Sequence, residues 1–377
     1  MPRSTFYQGL LAATIGLGCF FFFLEALLRI IGYIPEDIPF GYRAELLGDL
    51  LANKRYTAGL VTPANKGPTF SPYRIDTNAQ GLRADIEITR DKPSGLRRLL
   101  CLGDSFTFGP FVDNHETYTA QMQSLLNVTR GDSIQVINAG FSGWTLPDQL
   151  SYLQEKGLAL DPDLVLLQVY VNDVRELAPF FRSVLSRQTY IQQSQHPLFA
   201  LQLFLRRYSS TYYLLRNIKD GIDMSHHIES LPAADENDYR SYFDEYLSHI
   251  DTLNTLLIER DIPLLIVLVP EPIPAAAWPA LAATNADSLQ HALAVASNAE
   301  ANTLLSSNPL LPLLSAALTQ RSIAHLSLPD VLARLATNAT NPQDIYLLPN
   351  DHHFSRYGHH IVAQASADYI ARQQLLP

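Results

Sequence analysis

Residues 99–109 read Leu-Leu-Cys-Leu-Gly-Asp-Ser-Phe-Thr-Phe-Gly. An apolar run stops at Gly103-Asp104-Ser105, and a helix-compatible stretch follows. Such a pattern presents the Ser105 hydroxyl at the carboxyl edge of a buried strand, where open α/β sheets bind their ligands. Far along the chain stands Asn350-Asp351-His352-His353-Phe354-Ser355. A hydroxyl, an imidazole and a carboxylate are the parts of an acyl-transfer catalyst: the base removes the hydroxyl proton, and the acid orients the base. Each part has a plainer reading. A serine after Gly-Asp commonly caps a helix, and any of His352, His353, His359 and His360 can be a surface or capping histidine. Asp351 and His353 stand two apart, so in an extended segment they point to the same side while His352 points away. Asp344 is the substitute for the acid.

The elements that must position these residues follow from periodicity. Arg98–Gly103, Ser133–Asn138, Asp163–Tyr170, Ile262–Val269 and Ser322–Leu326 read as strands. Asp163–Tyr170 is a continuous apolar run, as expected of a central parallel strand. Glu116–Asn127, Asp148–Leu160 with Pro147 at its start, and Ser355–Gln373 read as helices. Strands alternating with helices imply a parallel, doubly wound sheet. Residues 33–96, rich in proline, read as a stalk and extension, and 97–377 as the main domain. Insertions interrupt it at about 175–238, rich in aromatic residues and arginine, and at 271–308, rich in alanine, asparagine and proline. Both follow strands at their carboxyl ends and so belong near the site. The first reads either as a lid or membrane-facing cap or as a plain scaffold extension.

The chain has 377 residues, 47% of them hydrophobic, and a formal charge of −10. No basic cluster concentrates its 27 lysines and arginines, which argues against a nucleic-acid partner. Residues 1–32 read as a membrane anchor. Gly9–Leu24 carries no charge, and Gly9–Ile31, at ~1.5 Å per residue, suffices to cross ~30 Å of hydrocarbon. Glu25 and Arg29, four apart near its end, can pair or reach headgroups. The rival reading is a cleavable signal peptide, but no small-x-small cleavage site follows the run. Arg3 favours a cytoplasmic N-terminus, a signal blunted by Arg29 and Arg43, and places the large domain outside. The two cysteines, Cys19 and Cys101, are not expected to pair. No His-x3-His or Cys-x2-Cys spacing supports a metal site, and no phosphate loop or dinucleotide fingerprint is present. Neither a metal nor a cofactor is expected.

The motifs resemble those of the SGNH, or GDSL, hydrolases. Gly103-Asp104-Ser105-Phe106 resembles their first block, Asn138-Ala139-Gly140-Phe141-Ser142-Gly143 the second, Val171-Asn172-Asp173 the third, and Asp351-His352-His353 with Gly358 the fifth. The resemblance implies a three-layer α/β/α sandwich with a mostly parallel five-stranded sheet, flavodoxin-like in order. It implies Ser105 as nucleophile, and His353, five residues ahead of Gly358, as base. Asp351 is then the orienting acid, although the commoner family spacing puts the acid three residues before the histidine, where Asn350 stands. An oxyanion hole is implied from the backbone N–H groups of Ser105 and Gly143 and the side chain of Asn172. Gly140 then reads as a turn glycine, and Asp104 and Asp173 as loop-holding carboxylates. Tyr170 stands where the family usually has glycine, which should reshape the pocket.

The function implied is that of a serine esterase acting through an acyl-enzyme on a carboxylic ester, acetyl among the candidates. Two alternatives stay open. With a sugar hydroxyl as partner, the same site makes an O-acetyltransferase or deacetylase of an envelope glycan. Without turnover, it is a scaffold that binds a glycan or a partner. Substrate partners are thus an ester, an acylated glycan or a lipid. The expected location is the bacterial inner membrane, with a single span and an extracytoplasmic domain.

Overall fold

The apolar runs become the strands of one sheet. The structure, a computed structural model, describes residues 3–35, 53, 55–58, 72–130, 133–170, 172–175, 177, 195–230, 239–270, 310–328, 331, 345–347 and 351–376. The insertion expected at 271–308, together with Asp344 and Asn350, lies outside them. In chain order the elements are α1 (Arg3–Ile30), β1 (Arg55–Ala58), β2 (Tyr73–Asp76), β3 (Arg97–Gly103), α2 (Ser105–Phe108), α3 (Tyr118–Arg130), β4 (Ile134–Gly140), α4 (Leu146–Tyr152), β5 (Leu164–Tyr170) and α5 (Asn172–Arg175). Then follow α6 (Phe199–Tyr208), α7 (Ser210–Ser230), α8 (Tyr239–Ile258), β6 (Leu264–Val269), α9 (Leu310–Gln320), β7 (Ala324–Ser327) and α10 (Arg356–Gln373).

Strands β3 to β7 form a five-stranded sheet in the order β4-β3-β5-β6-β7, every pair parallel. The chain steps from β3 outward to β4, returns past β3 to β5, and continues the other way. That reversal opens a crevice at the carboxyl ends of β3 and β5, where the two connections diverge. Ser105 opens α2 just past β3, and Asn172 opens α5 just past β5. Every residue of β5 and β6 is buried, as strands covered on both faces must be. Helix α3 packs on α10, and α4 on α8. Right-handed crossovers put these two helix layers on opposite faces, which completes the three-layer sandwich.

Two expectations change. The helix expected over 148–160 keeps α geometry only to Tyr152, then becomes a π turn (Leu153–Gly157) and a 3-10 turn (Leu158–Leu160). Gly157 is a weak helix former, and Asp161 ends the run in the left-handed region at φ 52°. The segment read as a stalk and extension ends in packed structure. β1 and β2 form an antiparallel pair, and Tyr73, Ile75, Leu82 and Ile88 are buried in the same core as β3 and β5. Its prolines hid strands too short for their alternation to register.

At the other extreme, Tyr7–Ile30 is one helix long and apolar enough to cross a membrane, a test that a signal sequence also passes. Its Leu11, Ile15, Leu17, Phe20, Phe22 and Phe23 are exposed.

Candidate active site

The site is built at the mouth of β3. Asp104 caps α2 by accepting the Phe106 N–H at 2.9 Å on Oδ1. The capping task therefore falls to Asp104, and Ser105 is the first helical residue, its hydroxyl free to meet another group. Beneath it, Thr107 Oγ1 lies 2.9 Å from Tyr118 Oη, and Asn138 Nδ2 donates to the Thr107 carbonyl at 2.9 Å. With its amide nitrogen turned toward Asp104, Gln168 donates to Asp104 Oδ1 at 2.8 Å and to Thr107 Oγ1 at 3.0 Å, and its oxygen accepts the Tyr170 N–H at 3.3 Å. Burial pushes the Asp104 carboxyl up, against the bond from Phe106 and the nearby His353. Asp173 Oδ2 accepts the Tyr170 N–H at 2.9 Å and so ties the end of β5 to α5.

The chain brings His353 to this place through a short closed loop. Leu347 N–H donates to the His353 carbonyl at 3.0 Å, and Ser355 N–H to the Ile345 carbonyl at 2.8 Å. Ser355 then caps α10 by accepting the Gly358 N–H at 3.1 Å. Within the loop, His353 Nε2 lies 2.7 Å from Ser105 Oγ, and Nδ1 lies 2.6 Å from Asp351 Oδ1. The same Oδ1 accepts the backbone N–H of His353 at 2.8 Å. Asp351 meets His353 by this side-chain turn, not by the extended segment expected from their spacing, since residues 352 and 353 lie in a bend. Partial burial raises the Asp351 carboxyl, but the ring, charge and backbone N–H of His353 outweigh it and hold the carboxyl below its usual range.

His352 does not point away. Its ring stacks on His353 at 4.5 Å and lies nearly parallel to Tyr170 at 5.9 Å. Desolvation, then the neighbouring His353, lowers its imidazole. Tyr170, at the position where the family usually has glycine, packs on Phe106 at 4.3 Å, so aromatic rings wall the site on that side. Asp351, His352 and His353 bring three metal-ligating atoms within 4.8 Å of one another. Both ring nitrogens of His353 already face Asp351 and Ser105, so an ion held there would displace one of those bonds.

The remaining expected site residues fall along the same edge. Gly143 follows β4 with φ +81°, a backbone conformation open to glycine, and a Cβ added there would meet only open space. Gly140 is not a turn glycine. It ends β4, and a Cβ there would lie 2.4 Å from the Phe108 nitrogen, so its bareness lets α2 seat against the sheet. Asn172 is the first residue of α5.

Residues 101–361 match the profile of the GDSL-like lipase/acylhydrolase family, most of the chain's length. The chain belongs to that family. As a GDSL-family acylhydrolase it is a hydrolase of esters. Similar solved structures include a G-D-S-L family protein from Desulfitobacterium hafniense DCB-2, at 14% identity over 72% of this chain and 98% of that one, with a TM-score of 0.39. A mutant of the acetylxylan esterase Axe2 from Geobacillus stearothermophilus is similar at 15% identity over 75% and 96%, TM-score 0.40. The acetyl xylan esterase AlAXEase is similar at 18% identity over 72% and 99%, TM-score 0.40. No curated protein matches in sequence.

Three residues of this candidate site have placements that the sequence reading missed. Phe111 has φ +68°, uncommon for a bulky residue, and its ring lies 6.0 Å from that of His353. His352 is the second. The third is Arg83, buried beneath α2, which donates to Asn114 Oδ1 at 2.9 Å, to the Phe108 carbonyl at 2.8 Å, and to the carbonyls of Gly109 and Val112. Burial, against nearby acids, lowers its guanidinium to about 10, so it stays charged at neutral pH. Only an arginine inside an otherwise loop-like segment marked it, and that signal is weak.

Proposed function

We propose that the protein is a serine esterase in which Ser105, His353 and Asp351 act as a relay. The observation that carries this reading is the pair of short bonds through one imidazole, 2.7 Å to Ser105 Oγ and 2.6 Å to Asp351 Oδ1. Ser105 Oγ attacks the ester carbonyl carbon as His353 Nε2 takes its proton. Asp351 holds the ring so that Nε2 is the free base, and it stabilises the imidazolium that forms. The backbone N–H groups of Ser105 and Gly143 and the amide of Asn172 serve the developing oxyanion. Collapse breaks the C–O bond, and the alcohol leaves with the proton from His353. Water then attacks the acyl-enzyme with His353 again as base, and releases the carboxylic acid and Ser105.

The test uses the full-length protein in detergent with 4-nitrophenyl acetate. The wild type hydrolyses it, and a fluorophosphonate attaches to Ser105. Ser105→Ala loses both the turnover and the label while keeping its melting temperature. Wild-type turnover in Ser105→Ala would overturn the reading.

We infer further that α1 is a retained anchor. A cleaved leader takes no part in the mature fold, whereas the end of α1 is bonded into the domain. The Glu25 carboxylate accepts the N–H groups of Ser210 at 3.0 Å and Thr211 at 2.8 Å, the Ser209 hydroxyl at 3.0 Å and Arg29 Nε at 2.7 Å. Leu28 is buried, at 6% exposure. With Arg3 on the inner side, the esterase domain then stands outside the membrane.

A further inference from the structure

We propose that the corner between α6 and α7, with the last turns of α6, is a second membrane contact that seats in the outer headgroup layer beside α1. The inference rests on α1 spanning the bilayer. From Tyr7 to Glu25 the helix rises ~27 Å at ~1.5 Å per residue, close to the ~30 Å of hydrocarbon it must cross. Glu25 therefore stands within the last two turns of the span, which runs on to Ile30. Its carboxylate holds Ser209, Ser210 and Thr211 at that depth, and Arg29 donates to the Tyr208 carbonyl. The corner cannot rise away from the membrane while these bonds hold. Helix α7 then climbs alongside the chain leaving the span. Tyr33 packs on Tyr213 at 5.8 Å, and Asn217 Nδ2 donates to Tyr33 Oη at 3.3 Å. The corner is thus the end of α7 nearest the membrane.

What the corner displays suits that place. Leu201, Phe204 and Tyr208 lie three and four residues apart, one stripe of α6, and are 52%, 58% and 55% exposed. The Phe204 and Tyr208 rings pair at 4.9 Å, within a turn of the corner, and aromatic side chains of this kind favour the membrane–water boundary. On α7, Arg216 is partly exposed and Lys219 exposed, in a chain of net charge −10. These two cations complement anionic lipid headgroups.

The test places an environment-sensitive fluorophore at F204C, at I15C in α1, or at V128C on α3, each in full-length C19S protein. The protein is reconstituted into vesicles of phosphatidylethanolamine with a minority of phosphatidylglycerol. Turnover of 4-nitrophenyl acetate at the C19S rate shows that each variant is folded. A nitroxide carried at the lipid headgroup is expected to quench the label at 204 severalfold more than that at 128, where Val128 is exposed on α3. Quenching at 204 is expected to weaken when phosphatidylcholine alone replaces the mixture. If a nitroxide deep in the acyl chains quenches the label at 15 while 204 behaves as 128 does, the corner is in water and the inference fails with the anchor intact. If the label at 15 is itself in water, the anchor reading fails and takes this inference with it.

Discussion

One oxygen of Asp351 serves two donors of the same residue, the ring and the backbone N–H of His353. That double use lets an acid two residues ahead of the histidine do what usually needs a longer reach. The backbone bond fixes where the oxygen is, and the ring bond fixes which nitrogen of His353 carries a proton. Asp351→Asn keeps the shape but offers an amide whose N–H can turn toward Nδ1 and favour the wrong tautomer. On the proposed mechanism, kcat on 4-nitrophenyl acetate falls about 10³- to 10⁴-fold. KM and melting temperature are expected to change little, because the site is partly open and the loop keeps its backbone bonds. A variant with near wild-type kcat would remove Asp351 from the relay.

At the scale of elements, helix α2 is a single turn, so its position depends on neighbours more than on itself. Arg83 gathers the carbonyls at its end, Asn138 holds its middle, and α10 presses His359 against the following loop. His359 is fully buried. Its Nδ1 accepts the Tyr118 N–H at 3.2 Å, and desolvation, then Arg83 and His353, lowers its imidazole to about 3. A histidine depressed in the folded state contributes stability that is complete above its unfolded value, near 6.5, and is lost as pH falls toward about 3. His359→Asn keeps an acceptor for Tyr118 without a group that charges. The wild type is therefore expected to lose more melting temperature than the variant between pH 7.5 and about 5; equal losses would show that His359 is not the acid-labile joint. Arg83→Met leaves several buried acceptors without a donor and is expected to cost about 3 kcal/mol in urea unfolding. Arg83→Lys should recover part of this, since a point cation cannot span four acceptors. Full stability in Arg83→Met would deny that Arg83 holds the loop. The difference between these residues and the strands explains what was legible. β3, β5 and β6 announced themselves as apolar runs because burial on both faces is a local property of sequence. Ser105, Asp351 and His353 could be picked out because their motifs are short and local too. Arg83, His352 and Phe111 could not, because each takes its role from partners distant in the chain or from a backbone angle that no residue type announces.

At the scale of the whole molecule, the segment before the sheet grips β3 at both ends. Arg83 works at the carboxyl end. At the amino end, Arg98 donates to the Thr89 carbonyl at 2.6 Å, and Lys92 reaches Asp163 at 2.9 Å. The packed part of this segment is therefore integral to the hydrolase core, and the outer end of α1 is bonded to the start of α7. Glu25 is the hinge pin of that joint, since it caps α7 and pairs with Arg29 at once. Glu25→Gln keeps one acceptor and loses the charge that strengthens every bond to it. The cost expected is about 1 to 2 kcal/mol, read as a lower melting temperature of the full-length protein in detergent. Hydrolysis of 4-nitrophenyl acetate should be unchanged, because Glu25 has no part in the proposed chemistry. The same preparation carries its own check. Its intact mass must include residues 3–30, for a protein trimmed behind the apolar run has no Glu25 to lose. A trimmed wild type, or a Glu25→Gln variant as stable as its parent, would mean that α1 is not built into the working protein.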